Sequence, residues 1–491
     1  MPMHYLAIDM GSTSLTAVVI DLAAKAVVGT SSVANTAEIT GAVDGKKGRA
    51  EWDLDRMTEL AVDNAADLVG RTGVQPAAIG VTGQQQGLQL LDAQLKAVGP
   101  FISWQDQRAK DPISGDGQTY LQALGTMGGA VAAEGGLPAF ARTGCPLVAG
   151  YGVSIWYWLR ANDLLPSGVS STTAPEFVVS RLTGVLPVTD PTDAMGWGIY
   201  DVADRDWDYP LLEALGLPRA LLPDLVDSCT IAGGLSKSVA ARLGVSAGIP
   251  VTVASGDHQC SFAGTVADRD NTVAINVGTG GQASVYVGQP VPHGWLELRP
   301  YMQSGYLLAG VGVVGGRTFR VLRDFFAQAV ADFTSGDRDP ELIYTRLVEL
   351  AGEVPAGAEG LRVDPLFTGS RSNPHATASF CGLTPQTFTP GHMARALFEG
   401  MAVQLADSYR QAVALGAGER SRLVGSGNGL KLNALLREAL AAEFGMQVEV
   451  GAQQEEAAVG AALCAAVADG AYASIAGASA EFTGSRADAR D

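Results

Sequence analysis

Cysteine is scarce in this chain, with five among 491 residues: Cys145, Cys229, Cys260, Cys381 and Cys464. They are odd in number, widely spaced and never in a CxxC pair, which excludes a disulfide framework and fits reduced thiols in a cytoplasmic protein. Histidine is equally rare. His4, His258, His293, His375 and His392 have no ligand-like spacing, so zinc is not expected. Positive charge is in deficit, 33 Lys plus Arg against 51 Asp plus Glu, and the net charge of −18 repels phosphate backbones and anionic lipid. No nucleic-acid or membrane partner is expected. Long lipid-compatible runs are also missing, because uncharged stretches such as 300–316 are interrupted by Gly, Gln, Ser and Tyr. The opening MPMHYLAIDM has no basic start and carries Asp9 where a signal peptide would be apolar.

What is present is globular: 47% apolar and 17% charged residues over a length that allows two to four domains at roughly 150 residues each. The segment YLAIDMGSTSLTAVVID reads as strands Tyr5–Met10 and Leu15–Asp21 around a Gly/Ser/Thr turn. The pattern returns in TVAINVGTGGQASVYVG, with strands Thr272–Val277 and Gln282–Val287 around Gly278–Gly281. Asp9 and Asn276 hold matching places about half a chain apart, which points to two related α/β units rather than a short-period repeat. Strands alternate with amphipathic helices between them. One helix is expected from Asp53, as N-cap, to Val69 with Gly70 as its stop. Apolar stripes Phe319–Leu322–Phe326–Val330–Phe333 and Met393–Leu397–Met401–Leu405 read as core, and Leu430–Phe444 reads as a continuous helical run. A division is expected near Ala247, giving units 1–247 and 248–470. The Ala/Gly/Ser-rich tail 471–491 is expected to pack weakly or stay disordered.

Three groups of residues can carry chemistry. In Asp9-Met10-Gly11-Ser12-Thr13-Ser14, a glycine turn lets backbone N–H groups approach phosphate oxygens while a strand-end carboxylate can hold Mg²⁺; an ordinary hairpin turn explains the same residues. Gly278, Thr279 and Gly280 offer the same donors, and Gly427 with Asn428 precedes a helix, where backbone can lie close to a nucleotide. Asp257 follows an apolar strand and a glycine. It suits a base that accepts a hydroxyl proton, or a plain helix N-cap. His258 beside it can bond a hydroxylated substrate or be structural. Trp104 and Asp106, with Gln84, Gln85 and Gln86, suit a polyol, whose C–H face packs on an aromatic ring while its hydroxyls need directional partners; a half-buried surface Trp is the alternative.

Taken together, AIDMGSTS, GVTGQQQGLQLLD, SWQDQRA, ASGDHQCSFAG, NVGTGG, GVVGGRTFRVLRDF, SFCGLTPQTFTPGHMARALFEG, VGSGNG and EEAAVGAAL, in this order from about Tyr5 to Val467, resemble the FGGY family of carbohydrate kinases. The resemblance implies an α/β fold of two ribonuclease H-like domains, as in the actin/hexokinase/Hsp70 superfamily, with an interdomain cleft. It implies a sugar-binding N-terminal domain, a nucleotide-binding C-terminal domain, ATP and Mg²⁺ as cofactors, and transfer of the γ-phosphoryl group to a sugar hydroxyl. By that resemblance Asp257 is the catalytic base, and Asp9 and Asp257 face the metal. Gln85, Gln86, Trp104, Asp106, Asp257 and His258 hold sugar, while Gly11, Ser12, Thr13, Ser14, Gly278, Thr279, Gly280, Gly316, Gly427, Asn428 and Asn433 meet the nucleotide. Two departures stand out: Ile155 replaces a Lys that many members carry, and Gln85-Gln86 replaces the Met-His pair of xylulokinases. SWQDQR, the GYG stretch, GDHQ and GSG are most similar to sedoheptulokinases, which implies phosphorylation of a ketose at its terminal primary hydroxyl, sedoheptulose first, with xylulose, ribulose or a non-catalytic sensor as rivals. The partners implied are small molecules, and a homodimer is permitted.

Overall fold

Aliphatic residues crowd both faces of the segments flanking the Gly11 turn, as strands covered on two sides require. They form β1 (His4–Met10) and β2 (Ser14–Asp21), antiparallel with Asp9 opposite Thr16. The structure, a computed structural model, describes residues 3–115, 117–131, 139–333, 339–369, 375–451 and 455–484. β3 (Ala26–Ala34) continues the meander, β4 (Ala78–Gly83) lies parallel to β1, and β5 (Ile231–Gly234) and β6 (Pro250–Thr252) complete a sheet ordered β5-β6-β4-β1-β2-β3.

The second half repeats this plan with β7 (Thr272–Val277), β8 (Gly281–Val287), β9 (Glu297–Pro300), β10 (Tyr306–Val313), β11 (Arg422–Ser426) and β12 (Val448–Val450), ordered β9-β10-β8-β7-β11-β12. β1 and β7 are each flanked by an antiparallel hairpin partner and a parallel strand. The repeated motif is therefore a repeated sheet, in the two-domain α/β arrangement expected.

Helix α1 (Leu54–Thr72) starts where its cap predicts, with the Asp53 carboxylate accepting from Arg56 N at 3.0 Å. It runs through Gly70 and stops at Gly73, whose left-handed φ of 65° returns its N–H to Val69 O. Its apolar face packs with Leu6, Ile8 and Met10 on one side of the first sheet. Tyr5, Ala7 and Val18 face the other way, toward α2 (Asp257–Thr265), α6 (Glu456–Ala468) and α7 (Ile475–Gly484). α3 (Gly316–Phe333), α4 (Pro390–Ala412) and α5 (Ala434–Phe444) serve the second domain.

Four expectations change. Strand β6 and the short strand Ser255–Gly256 pair with β4, so a division after residue 247 would cut the first sheet. The tail does not pack weakly: Ile475, Ala478 and Phe482 of α7 are completely buried, while the tail beyond residue 484 lies outside the described residues. The run 430–444 breaks at Leu432, 79% exposed, between the short helix Asn428–Lys431 and α5. On α3, Phe319 and Leu322 are core, but Phe333 is exposed.

α6 is apolar all round and rich in Ala, with one Gly at 460, the signature of a helix enclosed on every side. Its small residues are needed for close approach: a Cβ on Gly460 would sit 1.9 Å from Cys260 O, and one on Gly80 2.0 Å from Ala461 O. A helix from the end of the chain thus lies against β1, β4 and α2 of the first domain. Among the described residues, no helix is long and apolar enough to cross a membrane.

Candidate active site

A cavity of about 910 Å³ opens between the two sheets. The first domain gives it Asp9, the Gly11–Ser14 turn, Gln84–Gln86 and Trp104, the head of α2 gives Asp257 and His258, and the second domain gives Asn276, Gln282, Arg299 and Val311. The turn is tight because a Cβ at Gly11 would lie 2.6 Å from Ser14 O.

Asp257 is the first residue of α2, and Gly256 takes the N-cap position. That removes the N-cap reading of Asp257. Gly256 is required there, since a Cβ would meet Gln85 Nε2 at 2.0 Å. The Asp257 carboxylate accepts from His258 N at 2.6 Å and opens onto the cavity. Burial pushes its pKa up to about 6, against the pull of Arg299 and of that N–H.

Asp9 sits one residue before the end of β1 and is partly open to the cavity. No hydrogen bond reaches its carboxylate among the described residues. Burial first, then Asp257 and Glu455, push its pKa up to about 7. No cluster of three His, Cys, Asp or Glu suited to a metal occurs among the described residues. The donor set is instead a pair of mutually repelling carboxylates on one cavity, which suits Mg²⁺, an ion that takes one or two carboxylates and completes its shell with phosphate oxygens and water.

Several expected sugar contacts are already committed to the protein. Gln85 donates from Nε2 to Thr192 O at 2.8 Å and to Gln259 Oε1 at 2.7 Å, and its Oε1 accepts from Arg299. His258 holds Ser284 Oγ at 2.9 Å and Arg299 Nη1 at 3.1 Å, so both ring nitrogens are used. Arg can only donate, which makes Nδ1 the acceptor and His258 neutral. Burial, then Arg299, lower its pKa well below the ordinary imidazole value, in agreement. Gln86 and Trp104 remain available to a ligand, and Trp104 is 43% exposed.

Asp106 is corrected outright. It is completely buried and does not line the cavity; its oxygens accept from Arg108 N and Nε at 2.7 and 2.8 Å and from Ala50 N and Arg108 Nη2 at 2.9 Å each. It is a clamp for Arg108. Ile155 is likewise fully buried among apolar side chains.

Gly278, Thr279, Gly280, Gly316, Gly427 and Asn428 gather at the strand ends of the second sheet, beside the cavity rather than in its wall. Gly316 N donates to Gly278 O and Arg317 N to Thr279 O, both at 2.9 Å, and a Cβ on Gly427 would come 2.5 Å from Val277 O. Asn433 is a second correction: it is the N-cap of α5, buried, with its Oδ1 accepting from Leu436 N at 3.1 Å.

Sequence reasoning missed Arg299 and Gln259, and it took Gln84 only together with Gln85 and Gln86. Gln84 lines the cavity with both amide atoms buried and without a partner among the described residues. The signal for Arg299 was present: in LELRP, Glu297 and Arg299 fall two apart on an apolar strand, hence on one face, as a buried ion pair would.

Comparison with known proteins agrees with this geometry. Residues 4–264 match the N-terminal domain and residues 273–468 the C-terminal domain of the FGGY family of carbohydrate kinases. The sedoheptulokinase of Mus musculus is 27% identical, covering 93% of this chain and 96% of its own, and the autoinducer-2 kinase of Escherichia coli (strain K12) is 27% identical over 96% of this chain and 87% of its own. Among solved structures, the xylulose kinase of Rhodospirillum rubrum superimposes with a TM-score of 0.82 at 24% identity, covering 97% of this chain and 92% of that one. The ADP-bound glycerol kinase of Plasmodium falciparum gives 0.80 at 19% identity, covering 98% and 92%. With two matching domains, a cleft between them and a carboxylate at the head of α2, the chain is a carbohydrate kinase and belongs to the FGGY family.

Proposed function

We propose that this kinase phosphorylates a ketose at its terminal primary hydroxyl, sedoheptulose to sedoheptulose 7-phosphate first, with Asp257 as base and the reaction in the cytoplasm. The observation that carries the mechanism is the placing of Asp257 at the head of α2, on a cavity also lined by Gln86, Trp104, Asp9 and the Gly11–Ser14 turn. Sugar stacks its C–H face on Trp104 and offers a hydroxyl to Asp257. As the sugar oxygen bonds to the γ-phosphorus of ATP, the bond to the β,γ-bridging oxygen breaks, the hydroxyl proton passes to the Asp257 carboxylate, and ADP leaves. Turn amides and the N-terminal end of α2 lie where phosphate charge accumulates. Asp9 and Asp257 would hold Mg²⁺, which neutralises phosphate charge when bound. Gly278–Gly280, Gly316 and Gly427 form the floor for the nucleotide. Water is a competing acceptor, so closure of the cleft matters.

Sedoheptulose is favoured over xylulose by Gln85-Gln86 and by the 27% identity to sedoheptulokinase along almost the whole chain. The equal identity to autoinducer-2 kinase makes that signal the second substrate to test. The experiment is ADP release from MgATP with sedoheptulose, xylulose, ribulose, fructose, glycerol and autoinducer-2, with mass detection of product. Turnover of sedoheptulose above the others supports the assignment. Preference for another compound replaces the sugar and keeps the mechanism; ATP binding with no product on any of them removes the proposal.

A further inference from the structure

Arg299 belongs to the second sheet, yet its guanidinium is bonded into the first domain. Nε and Nη2 reach Glu297 Oε2 at 2.8 and 2.6 Å, while Nη1 donates to Gln85 Oε1 at 3.0 Å and to His258 Nδ1 at 3.1 Å. Gln85 passes the connection on to Gln259 Oε1, and Gln259 Nε2 returns it to Pro300 O, the residue after Arg299, at 2.9 Å. The loop after β4, the first turn of α2 and strand β9 are thereby closed into one ring of hydrogen bonds. Its side chains are buried, Arg299 to 6%, Gln85 to 3%, His258 to 7% and Gln259 to 0% exposure. In such a setting each bond is costly to lose, because its partner is left without water.

The ring supports the residues that remain free to touch a ligand. Gln86 follows Gln85 directly, and Asp257 precedes His258. Both face the cavity that Arg299 also lines.

We propose that Arg299 is a positioning residue for the sugar: it locks the Gln85–Gln86 loop onto the head of α2, so that the acceptor site is assembled in the absence of nucleotide. This rests on the sugar-kinase reading above. It assigns a specificity role to a side chain 214 residues from its partner Gln85. A Met at position 85 would leave Arg299 facing a thioether, so the two positions are coupled in choosing the sugar.

The test uses the full chain and the sugar it turns over fastest. Trp104 fluorescence reports sugar binding without ATP, with Trp104→Phe as the control for its origin. Wild-type protein is expected to respond to sugar alone. Arg299→Met is expected to weaken that binding at least tenfold and to raise the KM for sugar in step, while the KM for ATP stays within twofold. Arg299→Lys, which keeps the charge but not the fork, is expected to recover part of the loss. Gln85→Met removes the acceptor without touching Arg299 and is expected to shift the sugar KM in the same direction, so the test survives if Arg299→Met fails to fold. Unchanged sugar affinity in Arg299→Met, or an equal rise in both KM values without rescue by Lys, overturns the inference. Wild-type turnover without any nucleotide-free sugar binding also overturns it while leaving the function intact; absence of turnover and binding for every sugar removes both.

Discussion

Asp9 and Asn276 occupy equivalent places in the two halves, one residue before the end of the central strand, opposite Thr82 and Ser426 on the parallel neighbours. In the second half the pair closes: Asn276 Nδ2 donates to Ser426 Oγ at 2.8 Å. In the first half it does not, because the Thr82 hydroxyl is taken by Ser255 O at 2.7 Å and the Asp9 carboxylate is left to the cavity. One half uses its strand end as a neutral tie, and the other keeps a repelled charge there. The contrast shows how a duplicated fold divides labour. A carboxylate that is buried, unbonded among the described residues and crowded by Asp257 and Glu455 destabilises the protein by itself, which is the environment expected of the cation site proposed for it.

The largest expected effect comes from removing the group that works beside Asp9. Asp257→Asn should lower kcat by about 10²–10⁴-fold, the range for a lost general base, with ATP-analogue affinity retained; kcat and nucleotide titration check this. In the wild type, kcat/KM should rise with pH through about 6 as Asp257 ionises. Asp9→Asn makes the first half like the second, and should cost roughly 10²-fold in kcat while weakening the response to Mg²⁺. It should also stabilise the ligand-free protein. The native pKa of Asp9, about 7, lies above the unfolded value near 3.8, so the folded state binds more protons between them and wild-type stability falls as pH rises through that window. The melting temperature of Asp9→Asn should therefore exceed that of wild type at pH 8, with the gain vanishing near pH 4. Asn276→Asp, the reverse exchange, should raise the KM for ATP by about tenfold through like charge near the phosphates. Asn433→Ala should cost about 1 kcal/mol in stability as a lost cap, with the KM for ATP unchanged; a denaturant titration and steady-state kinetics separate the two.

The elements legible in the sequence are those that local chemistry determines. β1–β2 and β7–β8 declared themselves by apolar runs around glycine turns, and α1 by its Asp53 cap and periodic apolar face. Asp257 was legible as a strand-end carboxylate after glycine. Gln259 and the closed state of Gln85 were not, and for Arg299 only its pairing with Glu297 was, because the partners that close the ring lie as far as 214 residues away and no local pattern encodes them. Asp106 misled for a related reason. Beside Trp104 it resembles a ligand contact, while its true partners are Arg108 and the backbone of Ala50. Composition misled in the tail too, since its Ala/Gly/Ser-rich start forms α7, whose Ile475, Ala478 and Phe482 are completely buried in the cluster that also holds α6.

That last feature bears on how the protein is made. The first sheet is synthesised early, but the helices that cover one of its faces are α6 and α7, near the end of the chain, and Tyr5 Oη donates to Asp469 at 3.0 Å. On the ribosome the N-terminal domain must wait, with Tyr5, Ala7 and Val18 unshielded, until the second domain has been translated. Birth order and folding order are therefore decoupled: the domain that emerges first is the one that is finished last.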